Sequence, residues 1–231
     1  MAAKKMKFIP SVDADFTPAP THKFSLEISK KYLLKKRVLD IGCWNGDFES
    51  LIKFNSDLIG LDPDADALKV ARKRVPQFRY IKGDVLKELP FSKEFDTVIT
   101  WMTMEHISSQ QEALININKV MKKNGTIFIS TPALTLRSVL FDLPYVILGH
   151  RHFSKKEFGE YLSKTGFKVE EMKILGGYFV AIRITLLLFY KYFLRKPLPP
   201  IKFIEDKQMN EYRSGKGFNE LFIRAKKIKD V

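Results

Sequence analysis

Residues 37–48, with the sequence RVLDIGCWNGDF, contain the residue types that most clearly suggest chemistry. A short apolar strand that includes Asp40 leads into a turn bounded by Gly42 and Gly46, and a helix is expected to follow. Glycines let a ligand approach the bare backbone, and the N-terminus of a helix carries partial positive charge. The stretch therefore predicts the first strand–turn–helix unit of an α/β domain that binds a nucleotide-type cofactor.

Two further acidic residues follow predicted strands. Asp62 ends the second strand, and Asp84 follows Gly83 after the third. Each acidic residue also has a purely structural interpretation. Asp62 could cap the helix that follows it, Asp84 could form a turn, and Asp40 could bond the N–H groups of its own turn.

Three histidines are the candidate general bases. His106 follows the fourth predicted strand and should lie at the carboxyl edge of the sheet, where ligands bind in such folds. There it could accept a proton from an acceptor hydroxyl. His150 and His152 flank Arg151 before a predicted helix, where they could deprotonate an acceptor or bind a phosphate. All three could instead have structural roles.

Alternating strand and helix patterns would position these residues. The predicted strands cover residues 38–41, 58–61, 78–81, 97–101, 126–130, 167–175 and 220–225. The predicted helices cover residues 22–36, 48–55, 65–75, 109–123 and 154–166. Ser109 with Glu112, and Ser154 with Glu157, form capping boxes that mark two helix starts. Residues 1–21 are predicted to be an irregular arm.

Length and composition fit one globular domain. With 231 residues, 45% of them hydrophobic, the chain can bury a sizeable core. We expect a single domain over residues 1–231, in which residues 1–36 form an N-terminal arm and helix. The single cysteine excludes an intramolecular disulfide and a cysteine-rich metal site, so no metal is predicted.

The formal net charge of +14 is the unusual feature of the composition. It fits a nucleic acid, an anionic lipid or a phosphorylated substrate as the partner, and it equally fits a lysine-rich solvated surface. The first ten residues, MAAKKMKFIP, lack the apolar segment of a signal peptide. We therefore expect a cytoplasmic protein, with a peripheral position at the inner membrane face as the alternative.

The chain resembles the class I S-adenosylmethionine-dependent methyltransferases. Residues 40–46 are similar to the glycine motif of that family, and residues 95–99 with 104–107 resemble its fourth strand and the loop that follows. The similarity extends over about residues 38–225. It implies a doubly wound, Rossmann-like sheet of seven strands, mostly parallel with an antiparallel last strand.

The resemblance also implies S-adenosylmethionine as the cofactor and a set of residues that contact it. Asp62 resembles the residue that holds the ribose hydroxyls, and Asp84 with Val85 resembles the segment that faces adenine. The implied cofactor-binding residues are Asp40, Gly42, Cys43, Trp44, Gly46, Asp62, Pro63, Asp84, Val85, Thr100 and Trp101. Cys43 is expected to be a small buried residue and not a nucleophile.

Trp44 departs from the family pattern, which has glycine at the middle of this turn. Its indole could cover the methionine end of the cofactor or pack under the turn. The chemistry of the ligand fits the residues independently. A dinucleotide would want Gly-x-Gly-x-x-Gly with room for a pyrophosphate, whereas S-adenosylmethionine has an ammonium that suits Asp40 and a carboxylate that suits backbone N–H groups.

Two apolar insertions, residues 133–153 and 177–217, are predicted to cover the acceptor, because the family places both at the ligand end of the sheet. Arg183 and Lys191 interrupt the apolar run of the second insertion, which is too short to span a membrane. It could form a lid over the pocket, a homodimer contact or a helix that lies in a membrane interface.

We therefore expect a methyltransferase that acts on a small or lipid-linked acceptor, such as a quinone precursor or a polyprenyl-linked sugar, with oxygen as the expected acceptor atom. Transfer from an activated sulfonium can proceed without a base when the geometry is in line. One alternative is an RNA methyltransferase, although residues 100–103 (TWMT) lack the Asn/Asp-Pro-Pro-aromatic motif of amino-methylating enzymes. The other is a non-catalytic scaffold with a cofactor fold.

Overall fold

The computed structural model describes residues 18–141 and 151–231, and the seven strands among them form one sheet. The strands are β1 (Arg37–Ile41), β2 (Asp57–Asp62), β3 (Arg79–Lys82), β4 (Phe95–Trp101), β5 (Met121–Pro132), β6 (Phe167–Leu175) and β7 (Glu220–Lys227). Their order is β3-β2-β1-β4-β5-β7-β6. Strands β1 to β5 pair in parallel, whereas β7 runs antiparallel to both β5 and β6. The predicted Rossmann-like sheet is confirmed.

Helices connect most of the strands, although β3 continues into β4 without one. Those within the described ranges are α1 (Pro20–Leu33), α2 (Ala65–Arg74), α3 (Gln110–Val120), α4 (Leu136–Phe141), α5 (Lys155–Lys164), α6 (Tyr178–Phe189) and α7 (Lys202–Arg213). A π-helical segment, Tyr190–Leu194, extends α6. The serine half of each predicted capping box is present, since Ser109 and Ser154 accept from the N–H groups of Glu112 and Glu157.

The sheet is buried on both faces, as expected for parallel strands. Because side chains alternate along a strand, Leu39 and Ile41 of β1 enter one apolar cluster with Leu114 of α3. Val38 points to the opposite face, where it joins Leu33 of α1 in a second cluster. Helices on both faces therefore hold β1 at the centre of the sheet, next to β2 and β4.

The helix predicted over residues 48–55 is a single 3-10 turn, Glu49–Leu51, after which Ile52 is extended. Residues 52–56 instead run as a loop into β2. Asn55 accepts the N–H of Lys35, and Asp57 donates its N–H to Lys36, so this loop is bonded to the segment before β1. This correction matters for the site, because the turn holds Glu49 in a fully buried position.

Two predicted boundaries around the fifth strand also move. Helix α3 ends at Val120 and β5 begins at Met121, whereas the predicted positions were 123 and 126. Asn124 is left-handed, with φ of 65°, and the register of β5 against β4 is irregular across this stretch. The Asn124-Gly125 pair, predicted to stop the helix, therefore forms an irregularity inside the strand.

Both insertions leave the sheet at the edge that carries the glycine turn. The first follows the end of β5 at Pro132, and the second connects the end of β6 to the start of β7. Their aromatic rings pack together, with centroids 5.5 Å apart for Phe141 and Tyr178 and 5.0 Å apart for Tyr178 and Phe218. Among the described residues, no helix combines the length and the hydropathy that crossing a membrane requires.

Candidate functional site

The turn after β1 is left-handed at three positions. Gly42, Trp44 and Gly46 have φ angles of 80°, 44° and 80°. A Cβ atom at Gly42 would overlap the side chain of Thr103. The N–H of Gly42 donates to the carbonyl of Leu61 at 2.8 Å. Glycine is therefore required at position 42 for both conformation and space, while Trp44 holds a conformation that costs L-residues energy.

Asp62 holds this turn from the end of the neighbouring strand. Its Oδ2 accepts the N–H of Trp44 at 3.0 Å, and its Oδ1 accepts the N–H of Asp64 at 2.8 Å. The carboxylate is 7% exposed, and burial raises its pKa. The N-cap of α2 is Asp64, whose side chain accepts from the N–H groups of Asp66 and Ala67. Asp62 is therefore not the cap of α2, and its carboxylate instead orders the turn at the candidate site.

Asp40 and Glu49 form a buried carboxyl pair beneath the turn. They are 2% and 0% exposed. Oδ2 of Asp40 and both carboxyl oxygens of Glu49 are buried without a donor from another described residue, while the two carboxyl groups lie within hydrogen-bond reach of each other. Burial, with the added charge of Asp62, raises the pKa of Asp40 to about 8. Burial and the charge of Asp40 raise the pKa of Glu49 well above its usual range. The pair therefore retains protons at neutral pH, and a cation bound beside it would favour the ionised form.

The end of β4 adds two buried polar atoms at the same edge of the sheet. Ile99 pairs with Asp40 in the sheet, and Thr100 and Trp101 follow it. Neither Oγ1 of Thr100 nor Nε1 of Trp101 has a hydrogen-bond partner in the described part of the chain. The indole of Trp101 packs against Phe48, with centroids 5.6 Å apart, so its ring belongs to the wall of the site as much as to the core.

The predicted adenine segment has a structural function that is visible in the hydrogen bonds. Oδ1 of Asp84 accepts the N–H of Leu86 at 3.0 Å. This hydrogen bond forms a turn, which is the structural role that the sequence offered for Asp84 as the alternative to adenine contact. Val85 is 5% exposed and packs in the core. Asp84 itself is half-buried and Pro63 is exposed. Contact of any of these three residues with a cofactor stays a prediction.

Cys43 is a packing residue, as its sequence context suggested. Its Sγ lies under the turn, where a Cβ atom at Gly60 would approach it to 2.7 Å. Burial raises the pKa of the thiol well above its usual range. Because the thiolate is the reactive form, this environment makes Cys43 unreactive.

The predicted histidines occupy different environments. His106 ends the 3-10 turn Met104–His106 after β4 and is exposed at the carboxyl edge of the sheet. His152 is 6% exposed, and its Nδ1 lies 3.4 Å from Oγ of Ser138. His150 lies outside the described residues. Of the two that are described, His106 is the one that solvent reaches.

A fourth histidine, His22, lies near this edge, although the sequence patterns did not indicate it as a candidate base. Its ring meets the edge of Phe48 at 6.3 Å, and Phe48 in turn packs against Trp101. Burial and the charge of Arg183 lower the pKa of His22 to about 4. The one sequence signal for His22 is its place at the start of the helix before β1. A helix that packs back along the strand it leads into begins near the carboxyl end of that strand, where the candidate site lies.

A buried polar network surrounds Tyr212 at the same end of the molecule. Its hydroxyl donates to Oε2 of Glu220 at 2.9 Å, accepts from Nε2 of Gln208 at 3.0 Å, and lies 2.7 Å from Oγ1 of Thr21. Burial lowers the pKa of the nearby Arg183 guanidinium. These residues come from α1, α6, α7 and β7, so no local sequence pattern could have grouped them.

Glu105 is another buried acid that the motif analysis did not identify as a site residue. It is 8% exposed in the turn after β4, and its Oε2 accepts from Oγ1 of Thr131 at 3.1 Å. It adds a further carboxyl group at the carboxyl edge of the sheet. A phosphate would be repelled there, whereas a ligand with an ammonium and hydroxyl groups would be stabilised.

Comparisons with known proteins agree with this geometry. A family model described as a methyltransferase domain matches residues 18–172. The chain is 28% identical over 127 residues to a ubiquinone biosynthesis O-methyltransferase of Pelagibacter ubique, an alignment that covers 52% of each chain. It is 32% identical over 117 residues to the protein of the same name from Aliivibrio fischeri, with 48% of this chain and 50% of that one covered. The chain thus spans about half the length of these curated relatives.

A solved structure shares the fold. Geranyl diphosphate C-methyltransferase from Streptomyces coelicolor, in complex with Mg2+, geranyl diphosphate and S-adenosyl-L-homocysteine, superposes with a TM-score of 0.62. The match covers 89% of this chain and 79% of that chain, at 15% sequence identity. At this identity the likeness concerns the fold alone.

Proposed function

The chain belongs to the methyltransferase domain family, and on this premise we propose that it transfers the methyl group of S-adenosylmethionine to an oxygen atom of a small or lipid-linked acceptor. One observation carries the proposal. The buried carboxyls of Asp40, Glu49 and Asp62 lie beside a left-handed glycine turn at the carboxyl edge of the sheet. Such a site is suited to a ligand that combines a cation with hydroxyl groups.

The residues present fit this cofactor. Asp40 and Glu49 would hold its ammonium, because their buried oxygens lack donors from the described residues. Asp62 would accept the ribose hydroxyls, since each of its oxygens keeps a further lone pair after accepting one N–H. The backbone N–H groups of the turn would bind the cofactor's carboxylate. Asp84 is proposed to face adenine.

S-Adenosylmethionine, when bound, supplies a methyl group on a sulfonium that is already activated. The chain itself must orient the acceptor, exclude water and receive a proton from an acceptor hydroxyl. The packed insertions, joined through Phe141 and Tyr178, would exclude water from the ligand edge. His106 is proposed as the proton acceptor because it is exposed after β4. His152 is buried within the first insertion, so it would reach an acceptor only from inside that insertion.

The nature of the acceptor is inferred from the wall of the site and from the relatives. Phe48 and Trp101 are buried aromatic side chains that pack together, and they would support a pocket for a phenolic ring or another apolar acceptor from below. The relatives named ubiquinone biosynthesis O-methyltransferase support oxygen as the acceptor atom and a lipid-linked acceptor. A lipid-linked acceptor resides in a membrane, so the enzyme would work at a membrane surface.

The first test is calorimetric titration with S-adenosylmethionine and S-adenosylhomocysteine. Saturable binding is expected for the wild type and for Asp66→Asn, a control that makes the same change at an exposed residue. Asp40→Asn should weaken binding by about tenfold or more, because it removes a charge-assisted interaction. Absence of binding to a folded wild type would overturn the proposal and favour the scaffold alternative.

The second test is methyl transfer from labelled cofactor to phenolic and polyprenyl-linked acceptors. Product should appear with an apolar hydroxyl acceptor, and its rate should fall in Asp40→Asn. RNA serves as the competing acceptor. Labelling of RNA, with binding that weakens steeply as salt rises, would support the RNA methyltransferase alternative instead.

A further inference from the structure

Helix α6 presents an apolar stripe to solvent. Tyr178, Ile182 and Phe189 are 48%, 43% and 47% exposed, and Thr185 is the exposed residue between them. Their spacing of four, three and four residues places all four on one side of the helix. No charged residue interrupts this stripe, although charged and polar residues normally cover the outer face of a surface helix.

Neighbouring elements extend the stripe into a larger surface. Leu140 and Phe141 of α4 are exposed, and the ring of Phe141 meets that of Tyr178. At the other end, Phe189 stacks on Phe193 with centroids 5.4 Å apart, and Phe193 is 78% exposed. We call this surface the apolar face, and it comprises Leu140, Phe141, Tyr178, Ile182, Phe189 and Phe193. Contiguous apolar surface of this kind marks an interaction site.

The charged residues in the segments that carry the apolar face, residues 134–141 and 178–204, are all basic. Among them, Arg137, Arg195, Lys196 and Lys202 are exposed. The acidic group at the start of α6 is Glu211 of α7, whose carboxylate accepts the N–H groups of Gly177 and Phe179. No Asp or Glu occurs anywhere in residues 172–204 of the sequence. Long basic side chains can lie along apolar surface while their charged ends reach a polar boundary. The surface therefore has the composition of an interfacial helix with a cationic rim.

This charge pattern distinguishes between two possible occupants. A second copy of the chain would bring like charges together around Arg195 and Lys196, which opposes association. An anionic bilayer offers an apolar interior below a layer of negative headgroups, and both parts match. Helix α6 cannot cross the bilayer, so the fitting arrangement is a helix that lies in the interface.

We propose that the apolar face docks on the surface of an anionic lipid bilayer, with α6 parallel to the membrane and Arg195 and Lys196 on lipid headgroups. The inference extends the proposed function, because the ligand edge of the sheet would then open toward a lipid-linked acceptor. The docking itself requires neither cofactor nor acceptor, so it can be measured separately.

The test is flotation of the full chain with vesicles of phosphatidylcholine, with or without phosphatidylglycerol. Binding is expected with the anionic vesicles, and it should weaken as salt rises because the charges are exposed. Ile182→Asp should lower the partition coefficient by about tenfold or more. Leu34→Asp is the matched control, since Leu34 is 42% exposed just after α1 and lies away from the apolar face. It should bind like the wild type.

A second variant keeps the test decisive if Ile182→Asp changes folding. Arg195→Gln combined with Lys196→Gln leaves the apolar face intact and should lower binding to anionic vesicles by about tenfold or more. Equal binding of all variants, or no binding of the wild type, would overturn the inference. A dimer in sedimentation that Ile182→Asp dissociates would also overturn it, in favour of a second copy. Calorimetry with S-adenosylmethionine on the same samples separates this failure from failure of the proposed function.

Discussion

The main-chain N–H of Trp44, in the turn after β1, donates to Oδ2 of Asp62, the last residue of β2, at 3.0 Å. One carboxylate therefore fixes the left-handed residue of the turn and also occupies the position proposed for ribose binding. The turn and the site cannot be changed independently at this residue. This coupling makes the choice of substitution important in any test of cofactor binding.

Asp62→Ala is expected to destabilise the protein by about 1–3 kcal/mol, because it leaves the N–H groups of Trp44 and Asp64 without an acceptor. Asp62→Asn keeps one acceptor oxygen and should lose less stability. Urea unfolding measures both free energies. Equal stability of Asp62→Ala and the wild type would show that the two hydrogen bonds do not hold the turn.

Cofactor affinity is expected to rise with pH up to about 8. Between its ordinary pKa of 3.8 and the raised value of about 8, Asp40 keeps a proton in the folded protein that the unfolded chain releases. Stability should therefore fall as pH rises through this window, whereas binding of an ammonium favours the ionised carboxylate. The apparent affinity should gain up to about tenfold per pH unit, with proton release on binding.

Calorimetry in buffers of different ionisation enthalpy detects the released proton. Asp40→Asn with Glu49→Gln should remove both the proton release and the pH dependence. Asp66→Asn, at an exposed position, should retain them. A wild-type affinity that does not change between pH 6 and about 8 would contradict the assignment of the ammonium to this pair.

Gly42→Ala is expected to cost about 2–4 kcal/mol, because the new Cβ overlaps Thr103 and the backbone is left-handed at this position. Adding Thr103→Ala should restore part of the loss by relieving the overlap and none of the backbone cost. Gly159→Ala is the matched control. It lies in α5 with open space around it, so the same change should be neutral or stabilising by up to about 1 kcal/mol. Thermal unfolding of the three variants gives the comparison.

Acid should destabilise the folded protein through His22. Its pKa is lowered from 6.5 to about 4, so the unfolded chain binds a proton that the folded one does not. The contribution of the neutral His22 to the free energy of unfolding is fully present above pH 6.5, and it declines as the pH falls toward 4. It amounts to at most about 3 kcal/mol, less where water reaches the partly exposed ring.

His22→Gln removes this titration, so its stability should vary less than that of the wild type between pH 4 and 6.5. His106→Gln, at an exposed histidine, is the control and should keep the wild-type dependence. Urea unfolding at several pH values measures the difference. If His22→Gln follows the wild-type curve, the buried environment of His22 is not the cause of the acid sensitivity.

The alternation of apolar strands with capped helices was enough to predict an α/β domain, and the family resemblance implied its doubly wound sheet, which the structure confirms. Both capping serines bond as their spacing indicated. These features depend on neighbours within a few residues, so the sequence contains their causes. The loop that replaces most of the predicted helix after Phe48 is different, because its bonds are to Lys35 and Lys36, which lie about 20 residues earlier in the chain.

The same division applies to the site. The sequence by itself determined the glycine turn and the positions of Asp40 and Asp62, because the turn follows β1 and the two acids lie at the carboxyl ends of β1 and β2. Only the tertiary structure placed Glu49 under Asp40 and brought His22 toward Arg183. Burial and charge that act between distant segments set the pKa values of these groups, and no local pattern records which segments will meet.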